Sequence, residues 1–449
     1  MLDILNLQGL EVAPGGATET DAEITITVSR RAAGRECCPH CGSTAIAPNG
    51  SRATNYVDTP MRGKPVSVQW QRQRFKCREI ECGKTCTDIH DGLHDEFLMT
   101  KRLYDWVGPR CLSTTFAAVA QDIGMDERSV RRVFEHWSEA QLATLNFATP
   151  KWLGIDEVHL LHAARGVLTN IDQRALIDIL PNRNQDTMAR RIQLMTDRDR
   201  VEVMAMDMWA PYRRVAANLL PQATVVIDKW HVTKYADLGL EKIRKSFRAE
   251  LSAPMRRRLI KDRFLLLSRG HNLKPEQRMI LQTWTHHFPA LAAAYEAKEA
   301  FYGVYDSSDR LTAEIRFDAW ERSLTPAMRA AFKELLSATS NWRDPIFNYF
   351  DHRVTNAYTD AINGLIKISN RNGRGYSFPV LRARMLLNRD AVRRERVAKQ
   401  PPRVGYMLFE RSAPTYFAAK PKTYGIDIAT MTRLVESGHI FTVPTGFAG

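Results

Sequence analysis

A chain of 449 residues, 44% hydrophobic and 25% charged, has the make-up of a globular protein of two to four domains, each able to bury a core. No apolar run reaches the roughly eighteen residues a membrane span needs, and Met1-Leu2-Asp3-Ile4 opens on an acid with no basic n-region. A cytoplasmic protein without a membrane partner is expected. The formal charge of +14 favours a polyanion, because each phosphate contact releases counterions. Arginine clusters at 72–78, 190–200, 256–263, 371–374 and 382–398 are spread as if DNA crosses several domains.

The first element is the alternating run Ala22-Glu23-Ile24-Thr25-Ile26-Thr27-Val28, which predicts an edge strand. All seven cysteines then fall between 37 and 111, six of them by 86, and in a reducing compartment such crowding points to metal and not to disulfides. Cys38-Pro39-His40-Cys41-Gly42 is a knuckle whose glycine permits a tight turn. A basic, aromatic hairpin over 66–76 leads from it to Cys77 and Cys82. Two thiolate pairs on two loops predict a zinc ribbon within 1–98, a closed Cys₄ site with Zn²⁺ in a structural role. Cys37 and Cys86 compete as ligands. Arg72 and Arg74 of the hairpin are candidate DNA contacts.

Residues 99–148 turn helical. Phe116–Val133 has a helix-turn-helix layout, with Ala120 where two helices cross, Gly124 at the turn, and Val130 and Val133 facing inward. Arg128, Ser129, Arg131 and Arg132 are then placed outward, able to reach a major groove.

Three apolar runs next end in carboxylates. Trp152-Leu153-Gly154-Ile155 opens onto Asp156, Val201–Met206 ends at Asp207, and Ala223–Ile227 ends at Asp228 with His231 just behind. Short β-branched runs with a polar stop are strand signals. Acids at buried strand ends sit on rigid elements and can share magnesium or manganese. With hairpin strands at 166–171 and 174–180 and helices at 186–197 and 211–220, the order β-β-β-α-β-α-β is that of an RNase H-like fold. Glu157 points to the opposite side of its strand from Asp156. Residues 237–344 read as an all-helical insertion, in which Trp320 and Trp342 either pack in the core or stack on an unpaired base. The catalytic domain, 149–236, then resumes over 345–395, with Asp360 on its first helix. Arg371 and Arg374 lie in a flexible basic loop fit to grip a phosphate, and 396–449 is an appended tail. The expected class is therefore multidomain α/β.

These pieces together resemble the bacterial insertion-sequence transposases of the ISL-three family. The likeness rests on the Cys38/Cys41 and Cys77/Cys82 ribbon, the helices at 116–133, Gly154-Ile155-Asp156-Glu157, and Asp207 followed by Tyr212. It extends to Asp228-x-x-His231, Thr355-Asn356-Ala357 with Asn363, and Arg374-Gly375-Tyr376-Ser377-Phe378. The resemblance implies a DDE-type enzyme that cuts and rejoins DNA, with Asp156, Asp207 and Asp360 holding two Mg²⁺ or Mn²⁺ ions. Asp228 and His231 would shape the site, Asp228 being an alternative ligand. It also implies double-stranded DNA partners, both terminal inverted repeats and target, and a homodimer or larger assembly on them. Two positions depart from the family pattern: Asp360, where glutamate is usual, and Cys86, where an aromatic residue is usual. The first departure supports a second expectation, a transposase-derived DNA-binding protein or regulator impaired in cutting.

Overall fold

The computed structural model describes residues 6–30, 37–373 and 375–388, so Arg374 and the appended tail lie outside the described residues. The first seven strands are β1 (Leu10–Glu19), β2 (Ile24–Arg30), β3 (Ile46–Met61), β4 (Lys64–Cys77), β5 (Thr85–Thr87), β6 (Leu93–His94) and β7 (Met99–Thr100). They form one sheet in the order β1-β2-β4-β3-β7-β6, with β5 on β4. The alternating run expected at an edge is β2, and it lies inside the sheet. β1 covers one side, and on the other β2 runs parallel to β4, aligning Ile24, Ile26 and Val28 with Val66, Val68 and Trp70. All six side chains are buried. Alternation reports one apolar face; it does not reveal whether both flanks are paired.

Three helices follow, α1 (Lys101–Ser113), α2 (Phe116–Ile123) and α3 (Glu127–Ala143). Each begins at a side chain that accepts a first-turn amide: Thr100 from Leu103, Thr115 from Ala118 and Asp126 from Ser129. Gly124 ends α2 in the left-handed region (φ +69°), and a Cβ there would stand 2.7 Å from Pro65.

The second sheet contains β8 (Trp152–Leu160), β9 (Ala163–Asn170), β10 (Ala175–Ile179), β11 (Val203–Met206) and β12 (Thr224–Ile227). Helices α4 (Gln185–Gln193) and α5 (Ala210–Leu219) precede and follow β11. Spatially the order is β10-β9-β8-β11-β12, with β9 antiparallel to both neighbours and β11 parallel to β8 and β12. β9 starts three residues before the sequence boundary of 166. Its hairpin turns on Leu161 and His162, both at positive φ with no glycine to signal it.

α6 (Lys229–Ser246) starts directly after β12 and runs without a break through the expected boundary at 236/237. Beyond it come α7 (Ala253–Lys261), α8 (Arg263–Leu267), α9 (Pro275–His287), α10 (Pro289–Val304), α11 (Arg310–Ser323), α12 (Pro326–Ala331), α13 (Lys333–Asn341) and α14 (Arg343–His352). α15 (Ala357–Gly373) and α16 (Phe378–Leu387) return to the sheet. One apolar cluster joins Leu153, Ile155, Met204 and Val226 to Phe301, Phe317, Phe332 and Phe347 of the helical block. Trp320 and Trp342 are buried in it, and Trp320 Nε1 donates to the Ala297 carbonyl at 2.8 Å, so core packing is their role. A second cluster joins Val158, Val167 and Ile179 to Ile362 and Val380, and through them to Phe116, Val130 and Phe134. The three helices after the first sheet therefore share a core with the second.

Candidate active site

Asp207 and Asp228 lie at strand ends as expected, whereas Asp156 lies in the middle of β8, which continues to Leu160, level with the point where β11 stops. Asp156 is buried on β8, Asp207 follows β11, and Asp228 follows β12 as the residue that caps the start of α6. Starting a helix at Asp228 brings His231 into its first turn, and His231 Nε2 lies 2.7 Å from Asp207 Oδ1. The contact is close but off the line of the ring N–H, and neither atom has an aligned hydrogen bond. Donor atoms of Asp156, Asp207 and His231 all fall within 4.8 Å of one another.

The electrostatics of this trio are unfavourable without a cation. Burial, then the charge of Asp207, pushes the Asp156 carboxyl up to about 8. Burial lowers the His231 value, but the contact with Asp207 and the surrounding acids outweigh it and the net shift is upward. A divalent ion fits such a set: two carboxylates and an imidazole offer hard donors, their free atoms face one another, and waters or substrate can complete the shell.

Asp228 and Asp360 stand just outside this trio. Asp228 is buried, which raises its carboxyl, and its Oδ1 accepts the Asn356 amide at 3.4 Å. Asp360, in the first turn of α15, has its outer face in solvent and its carboxyl turned toward Asp156, with which it is hydrogen-bonded; desolvation of that carboxyl and the nearby Asp207 charge raise it against the pull of His231. The three expected acids, Asp156, Asp207 and Asp360, are neighbours here, and His231 joins Asp156 and Asp207 in the tightest group of donor atoms. Glu157 is engaged with Arg183, whose guanidinium also lies 4.4 Å from the Trp209 ring centroid.

Residues that sequence reasoning left without a role hold α15 to β8. Asn363 Nδ2 donates to Asp156 Oδ2 at 2.6 Å, leaving the other Asp156 oxygen to the Glu157 amide. Asn356 Nδ2 donates to the Ile155 carbonyl at 2.9 Å and its Oδ1 accepts from Thr359 at 2.5 Å. Thr359 and Thr169 hydroxyls meet at 2.6 Å. Gly154 makes room for this knot, since a Cβ would stand 2.4 Å from Thr169 Oγ1 and 2.5 Å from Thr359 Oγ1. The Asn356 and Asn363 motif was visible in the chain, but its partners lie some two hundred positions away.

In the N-terminal sheet the sulfurs of Cys38, Cys41, Cys77 and Cys82 form a second group, with Cys38–Cys82 at 3.8 Å and Cys41–Cys77 at 3.6 Å. A tetrahedral ion with Zn–S bonds near 2.3 Å needs sulfurs about 3.8 Å apart, so zinc fits. The His40 amide, helped by that of Cys41, draws the Cys38 thiol down to about 7. Cys37 and Cys86 are outside the group; Cys86 sits on β5, backbone-paired with Phe75.

The expected DNA contacts divide. Arg74, Arg128, Arg132 and Arg371 are exposed. Arg72 is turned inward: its Nε and Nη2 donate to the Asp88 carbonyl at 2.9 and 2.6 Å and Nη2 pairs with Asp95. Ser129 donates its hydroxyl to Asp126 at 2.6 Å, and Arg131 pairs with Glu127 beside the Phe116 ring. Both serve the local structure of α3. Among the described residues, no helix is long and apolar enough to cross a membrane.

Comparison with known proteins agrees with this layout. Residues 153–385 match the profile of a transposase family, the DDE transposases of the ISL3 type, and residues 34–82 match the zinc finger of transposases IS204, IS1001, IS1096 and IS1165. The chain is also similar to a transposase for insertion sequence element IS1001 from Bordetella parapertussis. The two are 21% identical over 346 residues, which cover 76% of this chain and 85% of the relative.

Proposed function

The chain belongs to the ISL-three family of insertion-sequence transposases, with the zinc ribbon of that family, and on that footing we propose that it cuts and rejoins DNA at the ends of its own element. The observation that carries the reading is the meeting of Asp156, on the central strand β8, Asp207, just past the end of the adjacent β11, and His231, in the first turn of α6, with donor atoms within 4.8 Å. The strand order, with the first strand central and the second antiparallel, supports an RNase H-like catalytic domain interrupted by the helical block. The zinc ribbon and helix-turn-helix bind the terminal inverted repeats in this reading, through exposed arginines such as Arg74, Arg128 and Arg132. Cutting takes place in a dimer or larger assembly on the DNA, in the cytoplasm.

Asp156 and Asp207 hold magnesium or manganese, with His231 orienting Asp207 or joining as a ligand. Asn363 and the Glu157 amide each hold one oxygen of Asp156, which fixes the plane of the carboxylate. Asp228 ties α6 to the Asn356 amide and so positions His231. Asp360 approaches from α15 as the third carboxylate. Bound divalent ions supply an activated water or 3′-hydroxyl and stabilise the leaving oxygen.

The test is incubation of the full chain with labelled DNA carrying its element's ends, with and without magnesium, beside Asp156→Asn. Metal-dependent cleavage at the ends that vanishes in the variant is expected. Aspartate at 360, where glutamate is usual, favours a second reading, a DNA-binding descendant that no longer cuts. Specific binding with no cleavage by wild type, and none gained by Asp360→Glu, decides for it.

A further inference from the structure

The chain has nine tryptophans, and they are distributed unevenly between core and surface. Trp70, Trp284, Trp320 and Trp342 are buried, and Trp106, Trp137 and Trp152 pack against apolar clusters. The two exposed ones, Trp209 at 39% and Trp230 at 54%, each stand two residues beyond a strand-end acid, Asp207 and Asp228. Both therefore emerge at the rim that carries the carboxylates, at the starts of α5 and α6.

A single exposed aromatic needs no explanation. Two of them flanking a reaction centre, each beside a cation, do. The Arg183 guanidinium lies 4.4 Å from the Trp209 ring centroid and Lys234 Nζ lies 5.0 Å from that of Trp230. The His231 ring meets Trp230 edge-on at 4.9 Å, linking the aromatic directly to the acid trio. Trp209, Arg183 and Lys234 line, with Glu157, Asp207 and His231, a pocket of about 260 Å³, with room for one planar group and not for a duplex; Trp230 is outside this lining and adjoins it through Lys234 and His231. The buried Tyr212 hydroxyl, which has no partner, belongs to the same lining. Aromatic faces with flanking cations are the chemistry that holds unstacked bases on single-stranded nucleic acid.

We propose that Trp209 and Trp230 form a stacking site for one unpaired nucleobase of the DNA, held beside the phosphate to be cut; this rests on the transposase reading above. The substrate engaged at the carboxylates is then a duplex end with a base drawn out of its stack, and both tryptophans are positioning residues for that base.

The test measures binding without divalent ions, so that it does not depend on cleavage. Duplexes carrying the terminal repeat are made with one unpaired thymine, or an abasic residue in its place, at each position across the terminal pairs. At one position wild type binds the base-bearing duplex roughly 5- to 150-fold more tightly than its abasic twin. That span is what about 1–3 kcal/mol of stacking becomes at 1.4 kcal/mol per tenfold. Trp209→Ala and Trp230→Ala lose this preference while keeping the affinity for paired DNA, and the corresponding Phe variants retain most of it. A wild-type ratio near one at every position overturns the proposal. So does a ratio that survives in both Ala variants, or Ala variants that instead change only self-association in sedimentation. If the ratio behaves as stated but wild type never cuts in magnesium, the stacking site stands and the proposed chemistry fails.

Discussion

Replacing Gly154 by alanine tests how the helix carrying Asp360 and Asn363 is held to the strand carrying Asp156. The added methyl stands 2.4 Å from Thr169 Oγ1, 2.5 Å from Thr359 Oγ1 and 2.8 Å from Asn356 Oδ1, all buried atoms of one hydrogen-bonded knot. Overpacking of this kind costs about 1–3 kcal/mol. Separating the Thr169–Thr359 pair costs about 1 kcal/mol more in lost hydrogen bonding. A stability loss of roughly 2–4 kcal/mol is therefore expected, seen as a lower urea midpoint with an unchanged slope. Displacement of α15 by even a fraction of an ångström also moves Asn363 and Asp360, and a 1 Å misplacement costs on the order of 100-fold in rate. Gly154→Ala should thus cut DNA ends far more slowly even under conditions where it is fully folded. Adding Thr359→Ala removes one of the crowded atoms, so the double variant should lose less than the sum of the singles. An unchanged midpoint together with wild-type cleavage would refute this account of the helix–strand contact.

Asp360→Glu extends the carboxylate by one methylene toward the trio and should raise magnesium-dependent cleavage, whereas Asp360→Asn should lower it by 100-fold or more, on the order of lost metal-site function; initial rates on labelled ends decide. Cys38→Ser should release zinc, seen by metal analysis, and weaken binding to the terminal repeat while the second sheet keeps its hydrogen-exchange protection. Arg74→Ala should weaken DNA binding on all sequences and reduce the salt slope by about one. Arg72→Ala should instead lower the urea midpoint, because its guanidinium serves Asp88 and Asp95.

Much of the second sheet is legible in the chain because parallel, doubly covered strands must be continuous apolar runs, and the first polar residue after such a run marks a sheet rim. Asp156, Asp207 and Asp228 are found in this way, and the knuckle glycine and cysteine spacing mark the four thiols equally well. The network around Gly154 is not legible, since a strand glycine does not tell which helix comes close to it. Arg72 and Arg74 look alike in sequence and stand two apart on one strand; the chain leaving β5 brings the Asp88 carbonyl to Arg72 and leaves Arg74 exposed. The tryptophans show the same limit. Trp320 and Trp342 lie in helices of a kind that could present them to DNA, yet the packing of the helical block hides both and leaves Trp209 and Trp230 at the surface.

The helix α6 has a consequence for anyone wishing to shrink this protein to a minimal nuclease. Its first turn carries His231, and its later turns bury Ala236 and Leu240 in an apolar cluster that continues into Phe301, Phe317 and Phe332. Excising the helical block at the boundary suggested by sequence would cut this helix in its third turn and strip the cover from one face of the sheet. The block is therefore not cargo that a shortened enzyme can discard. A viable truncation has to keep it whole, and a fusion partner is better joined at the exposed β3–β4 turn, where Arg62 and Gly63 lie at positive φ far along the chain from the acids.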